Sequence, residues 1–340
     1  MVTSRDVARL AGVSQATVSR VMSSTGSAAP ETRKKVEAAM GALGYVPHAG
    51  AQAMKTRRAR TIGVVVKDLT NPFYPEVLDA LTAHLDWAGY RVALWNTGGN
   101  SHRDALHAIR ERAVDGVIFT TATGDTVELQ VALEQKSPIV LINRVVEGFD
   151  ADAVVSDNIA GGAMVADYLC ANGRTKVAFI DGPPEASTAR DRSRGFLNRM
   201  QEHGSPVPND LRFRADFSHD LARHVTSQVL GQPEPPHAIF CANDFMAFGA
   251  LDALHTHGLS TPKDCWVIGY DDVEMAGWPS ISLTTVRQPS REMARAGAQM
   301  LLERLSSPDL PPQHTQFPCQ LIPRATTGSV HVPGNHGGPD

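Results

Sequence analysis

Two hydrophobic rhythms divide the chain. Up to Leu43 apolar residues recur at helical spacing, and from Thr61 onward short β-branched runs alternate with helix-length segments. Thr3, followed three residues later by Asp6, reads as an N-cap with a carboxylate in the first turn; Val7, Leu10 and Ala11 then share one helical face. Gly12 supplies the turn, and Ser14 caps a second helix whose inward face is Val18, Val21 and Met22. A third helix has Pro30 in its first turn, Val36, Ala39, Met40 and Leu43 on its buried stripe and Gly44 as its stop, while Ala29 offers no capping side chain.

The second rhythm predicts buried parallel strands at 61–66, 91–94, 116–119 and 139–142, and a second series at 177–180, 238–241 and 266–269. Strands separated by helices in two series imply two doubly wound lobes. Such lobes bind ligands at the carboxyl ends of their strands, so a facing pair makes a cleft.

Composition narrows the class. With 340 residues, 42% hydrophobic and 20% charged, the chain can bury large cores and exceeds one ordinary domain. Apolar stretches such as 138–142 are far shorter than the roughly 20 residues that span a bilayer, and Met1 to Arg9 contain no apolar leader core. The expectation is a cytoplasmic protein without membrane contact. Cys170, Cys241, Cys265 and Cys319 form no C-x-x-C pair and read as reduced packing residues. No P-loop, G-x-S-x-G, H-E-x-x-H or G-x-G-x-x-G occurs, and the 13 histidines show no zinc pattern, so neither an enzyme nor a metal or cofactor site is expected.

Charge changes the picture more. Residues 1–60 hold ten Lys and Arg against three acids, a net +7, which leaves −11 on the remainder. A basic head on an acidic body suits a head that meets a polyanion while the body is repelled by it. The second helix would present Gln15, Ala16, Ser19 and Arg20 outward. Arg20 can bond guanine bidentately, Gln15 can pair with adenine, and Ser14, Thr17 and Ser19 suit phosphates. A solvated helical hairpin is the competing reading.

Asp6-Val7-Ala8, Ala11-Gly12-Val13-Ser14, Thr17-Val18-Ser19-Arg20-Val21, Thr32-Arg33-Lys34-Lys35-Val36 and Gly44-Tyr45-Val46-Pro47 closely resemble the head of the LacI/GalR family of bacterial transcriptional regulators. The resemblance implies a helix-turn-helix head at 1–46 and a hinge at 47–60 that becomes helical on operator DNA and drives a wedge, here Met54, into the minor groove. It places Thr3, Ser14, Gln15, Ala16, Thr17, Ser19, Arg20, Thr32, Tyr45, Ala51 and Met54 at the DNA. Two residues depart from the family pattern. Ala16 stands where a polar base reader is common, and Gly50 costs a hinge helix about 1 kcal/mol relative to alanine.

Asn71-Pro72-Phe73, Ala242-Asn243-Asp244, Gly269-Tyr270-Asp271-Asp272 and Leu283-Thr284-Thr285-Val286-Arg287-Gln288 are similar to the effector domain of the same family, itself similar to periplasmic binding proteins. This implies an effector-binding and dimerisation body at 61–328, with one lobe at about 61–157 plus 289–314, the other at about 158–288 plus 315–328, and a tail at 329–340 without leucine heptads. By motif the effector positions are Asn71, Phe73, Thr120, Asn143, Arg192, Phe217, Asn243 and Asp271, with Trp278 as a further aromatic cover. Directional Asn, Arg and Asp groups beside aromatic rings suit vicinal hydroxyls, and also serve a nucleobase. Each residue has a structural alternative: Asp271 and Asp272 as turn carboxylates, Phe217 as core, Arg192 as one of a solvated run with Arg190, Arg194 and Arg199.

The implied function is a homodimeric repressor of carbohydrate uptake or catabolism genes that reads palindromic double-stranded DNA and answers to a small sugar. A binding protein with no DNA-reading role is the alternative.

Overall fold

The structure, a computed structural model, describes residues 2–22, 28–45, 58–99 and 101–328. The expectations for Gly50, Ala51, Met54 and the 329–340 tail lie outside the described residues. The chain divides into two units, 1–60 and 61–340.

The first unit contains helices α1 (Ser4–Ala11), α2 (Gln15–Val21) and α3 (Pro30–Leu43). Thr3 donates from its backbone N–H and its hydroxyl to Asp6 Oδ2, at 3.0 and 2.7 Å. These bonds hold the Asp6 carboxyl below its ordinary pKa. Gly12, at φ 67°, turns the chain between α1 and α2, where a Cβ would be strained. Val7, Ala8, Val18, Val21, Val36 and Ala39 form the core. Leu10, expected on the inward face, is 56% exposed. With only eight residues, α1 buries a stripe centred on Val7 and Ala8, and Leu10 falls outside it.

The second unit contains two six-stranded sheets. The first comprises β1 (Thr61–Val66), β2 (Arg91–Asn96), β3 (Gly116–Phe119), β4 (Ile139–Ile142), β5 (Asp152–Ser156) and β11 (His314–Phe317), in the order β11-β5-β4-β3-β1-β2. The second comprises β6 (Val177–Asp181), β7 (Arg212–Arg214), β8 (Ala238–Cys241), β9 (Trp266–Asp271), β10 (Thr284–Arg287) and β12 (Gln320–Ile322), in the order β12-β10-β9-β8-β6-β7. Among the described residues all pairings are parallel except β10 with β12, so the second lobe carries one antiparallel edge. β11 pairs with β5 through Phe317, which puts the return to the second lobe after 317 rather than after 314.

Two glycines set the packing that positions the site. Helices Asn158–Ala171 and Ser187–Glu202 lie so close that a Cβ on Gly162 would stand 2.3 Å from the Arg192 carbonyl, and one on Gly195 would stand 2.0 Å from that of Ile159. This approach brings the Arg192 side chain to Asn158.

Candidate functional site

In the head, Ser14 caps α2 by accepting the Thr17 N–H at 3.1 Å, and the two hydroxyls lie 2.9 Å apart. Val18 and Val21 face the core, which leaves Gln15, Ala16 and Arg20 exposed and Ser19 half-buried. Gln15 Nε2 donates to Ser4 Oγ at 2.9 Å, a link from α2 back to α1. Arg20 has no carboxylate within 4 Å among the described residues. Thr3 is exposed and Thr32 half-buried, while Tyr45 packs against the head core. The outward face is thus a guanidinium, an amide and a methyl group on one short helix, a donor and acceptor set fit for base edges.

In the body, the expected residues sit where strands end, as doubly wound sheets dictate. Asn71 follows β1, Asn143 follows β4, Asn243 follows β8 and Asp271 closes β9; Arg192 reaches in from the helix Ser187–Glu202 and Phe217 from the loop after β7. Asn71, Phe73, Asn143, Arg192, Phe217, Asn243 and Asp271 line one small inner pocket of about 10 Å³, together with Tyr74, Arg144 and Thr188. Beyond it lies an outer chamber of about 470 Å³ lined by Lys67, Asp68, Asn96, Thr121, Thr123, Glu185, Asp216 and Phe245 among others. Asn71, Tyr74, Arg144 and Phe217 border both spaces.

Arg192 organises the inner pocket. Its Nε donates to Asn158 Oδ1 at 2.8 Å, its Nη1 donates to the Ala242 carbonyl at 2.6 Å and lies 3.4 Å from Asp271 Oδ1, and its guanidinium covers the Tyr270 ring 3.8 Å from the centroid. It is buried, which excludes the solvated-helix alternative. Burial pushes the Asp271 carboxyl above its ordinary pKa, against the pull of Arg192 and of Gln288. Asp244 behind it is raised by the same cause, with repulsion from Asp271 added.

Three residues of the inner pocket carry a buried side-chain atom with no partner among the described residues: Asn143 Oδ1, Asn243 Nδ2 and Arg144 Nε. The Asn243 Oδ1 is already spent on capping the helix Asp244–Thr256 through the Met246 N–H at 2.9 Å. One buried acceptor and two buried donors left open in one pocket are costly unless something else meets them. Backbone strain gathers here too. Asn143, Phe217 and Asp271 have φ of 74°, 62° and 126°, conformations that cost on the order of 1–3 kcal/mol each outside glycine and that concentrate at ligand sites.

Two expected residues stand elsewhere. The Thr120 hydroxyl donates to the Val65 carbonyl at 3.1 Å inside the first sheet, and the next residue, Thr121, reaches the chamber instead. A one-residue step at a strand end reverses the face a side chain takes. Trp278, 46% exposed after a turn at Glu274–Gly277, lines neither space. Tyr74, Arg144 and Thr188 were missed, although each carried a signal. Tyr74 and Arg144 adjoin identified residues, and Thr188 lies one helical turn before Arg192.

Among the described residues no helix is long and apolar enough to cross a membrane, and no group of three or more His, Cys, Asp or Glu is placed to hold a metal ion.

Comparison with known proteins agrees with both halves. Residues 3–48 match the model for bacterial regulatory proteins of the lacI family, and residues 166–327 match a periplasmic binding protein-like domain. The transcriptional repressor PurR of Vibrio parahaemolyticus is 35% identical over 335 residues, 97% of this chain and 100% of that protein. The ribose operon repressor of Escherichia coli is 32% identical, covering 96% and 100%. The solved lac repressor dimer bound to operator and the anti-inducer ONPF superposes with a TM-score of 0.82 at 27% identity, covering 96% and 99%. A likeness that runs end to end through repressors leaves no place for the binding-protein alternative: the chain belongs to the LacI family of bacterial regulatory proteins and is a ligand-responsive, DNA-binding transcriptional repressor, not an enzyme.

Proposed function

We propose that this repressor reads a palindromic operator as a homodimer and answers to a small polyhydroxy effector, a sugar or sugar derivative, held between the two lobes of its body. The target genes would serve carbohydrate uptake or catabolism. The observation that carries the effector reading is the pair of unpartnered atoms, Asn143 Oδ1 and Asn243 Nδ2, beside the Arg192–Asp271 pair. Vicinal hydroxyls both donate and accept, so one ring could satisfy both open atoms while bonding the carboxylate and guanidinium. Phe73 and Phe217 would cover its apolar face. The name of the ribose operon repressor supports the same class.

In the head, Arg20 and Gln15 would read bases while Ser14, Thr17 and Ser19 bind phosphates. A twofold dimer would place two such helices on the halves of a palindrome. The inner pocket is too small for a sugar ring, so an effector that spans both spaces must part the residues that border both, Asn71, Tyr74, Arg144 and Phe217. Such a movement would favour one arrangement of the lobes and shift the population competent to bind DNA.

The test is selection of bound fragments from a random DNA pool by the full chain and by a chain lacking residues 1–60, followed by titration of the recovered site with pentoses, hexoses and disaccharides. One palindrome enriched by the full chain alone, and displaced or tightened by a sugar, is the expected result. Asp271→Ala should keep the site and lose the response. A sugar response intact in Asp271→Ala would remove the pocket from the effector's path. A nucleobase is the second reading, favoured by three aromatic rings, Phe73, Tyr74 and Phe217, on one pocket; adenine and guanine belong in the same titration.

A further inference from the structure

Two arginines border the inner pocket, and their surroundings differ. Arg192 has the buried carboxylate of Asp271 at 3.4 Å. Arg144 is 94% buried, as its 6% exposure records, yet has no carboxylate within 4 Å among the described residues. Its Nη1 donates to the Thr121 carbonyl at 3.0 Å, its Nη2 reaches the Tyr74 hydroxyl only at 3.5 Å, and its Nε is buried with no partner. Its guanidinium carbon lies 5.8 Å from the centroid of the Phe217 ring. A guanidinium carries five N–H donors, and here neutral oxygens meet only two of its nitrogens. A buried cation without an anion is an unfavourable arrangement that proteins keep where a ligand completes it.

The carboxylates of the adjoining chamber do not complete it. Asp68, Glu185 and Asp216 are exposed, and Asp68 is engaged by the Thr70 N–H and hydroxyl at 2.8 Å. Exposed charges at a rim are screened by water and salt, whereas a buried one is not. Arg144 also stands at the border of the two spaces, where a substituent on a ring would lie while the ring's hydroxyls met the inner residues.

We infer that the effector carries an anionic group, a phosphate or a carboxylate, and that Arg144 is the residue that binds it, which makes the ligand class a sugar phosphate or a sugar acid. This rests on the polyhydroxy reading of the cleft. Arg144 meets the anion with the Nε that has no other partner and with Nη2, whose contact with Tyr74 is the weakest of its bonds. Giving up that contact also separates Tyr74 from Arg144, two of the four residues that border both spaces, so the group that selects the ligand also loosens the way inward. A fork of two parallel N–H bonds suits either anion.

Calorimetric titration of the full chain with matched sets decides the matter: glucose, glucose 6-phosphate and gluconate; ribose and ribose 5-phosphate; galactose and galacturonate. The expected result is binding by an anionic member and not by its neutral parent, with the phosphate and carboxylate arms telling the two sources apart. Arg144→Gln should weaken that binding roughly ten- to a hundredfold, and Arg144→Lys should recover part of it. A neutral sugar bound with equal affinity by wild type and Arg144→Gln would overturn the assignment while leaving the polyhydroxy reading in place. Response to adenine or guanine with silence from every sugar would overturn both, and silence from all anionic sugars overturns the assignment. A ligand-independent readout is the thermal midpoint of Arg144→Met. A residue kept for a ligand should be replaceable without loss, so the midpoint should equal or exceed that of wild type; a fall of several degrees would mark Arg144 as structural and overturn the inference.

Discussion

Gln288 joins the inner pocket to the segment where the chain crosses between lobes. Its Nε2 donates to Asp271 Oδ1 at 2.6 Å and its Oε1 accepts the Ser156 hydroxyl at 2.5 Å. Ser156 closes β5 in the first lobe and Asp271 closes β9 in the second, so one side-chain amide spans both. Gln288→Leu keeps the volume and removes both bonds, leaving the Ser156 hydroxyl and one Asp271 lone pair unmet. The expected stability loss is about 1–3 kcal/mol. If the amide also transmits closure, the effector should still bind but change operator affinity less. Chemical denaturation and operator binding with and without effector separate the two effects.

Gly182 holds a place that Phe217 needs. A Cβ there would lie 2.5 Å from the Phe217 ring. The ring tip can rotate away, so Gly182→Ala should cost less than about 1.5 kcal/mol of stability. The displaced ring would no longer cover the ligand, and the loss of one aromatic face predicts a five- to tenfold weaker effector, roughly 1 kcal/mol. A stable variant with unchanged effector affinity would take Phe217 out of the site.

Much of this site was legible because strand ends are legible. Once β4, β8 and β9 are recognised as apolar runs, Asn143, Asn243 and Asp271 are the polar residues at their carboxyl ends. Arg192 was ambiguous by period alone, since Arg190, Arg194 and Arg199 share its helix; what buries it is the close approach at Gly162 and Gly195, a tertiary contact with no local signal. Thr120 was misplaced by one residue, which the pleat converts into the opposite face. β5, β7, β10, β11 and β12 are not read as strands because they are short or carry polar residues, as in Arg212–Arg214, Thr284–Arg287 and His314–Phe317. The Arg144 environment depends on the absence of a nearby acid among the described residues, a spatial fact that no sequence window reports.

Arg20 and Gln15 divide the expected reading of the operator. Arg20 is exposed and has no carboxylate beside it among the described residues, whereas Gln15 must first release Ser4. Arg20→Ala should weaken operator binding by about 1–3 kcal/mol and relax one base position. Gln15→Ala should weaken it less, because the bond to Ser4 is given up on binding. Binding to a set of single-base operator variants measures both. A uniform loss across all variants for Arg20→Ala would make it a phosphate contact instead.

Asp181 gives the fold a pH dependence of predictable sign. The carboxyl, at the end of β6, is pushed up from 3.8 to about 6, chiefly by burial, against bonds from the Gly182 N–H and the Ser193 side chain and the pull of Arg214. A carboxyl with a raised folded pKa favours the folded state while protonated. Its contribution is therefore complete below about pH 4 and is lost as pH rises through about 6. The full displacement corresponds to at most about 3 kcal/mol, less whatever solvent reaches the partly exposed group. Asp181→Asn should remove this dependence. Between roughly pH 4 and 7 the gap in unfolding free energy should move in the variant's favour, and equal pH profiles for the two proteins would show that Asp181 titrates at its ordinary value.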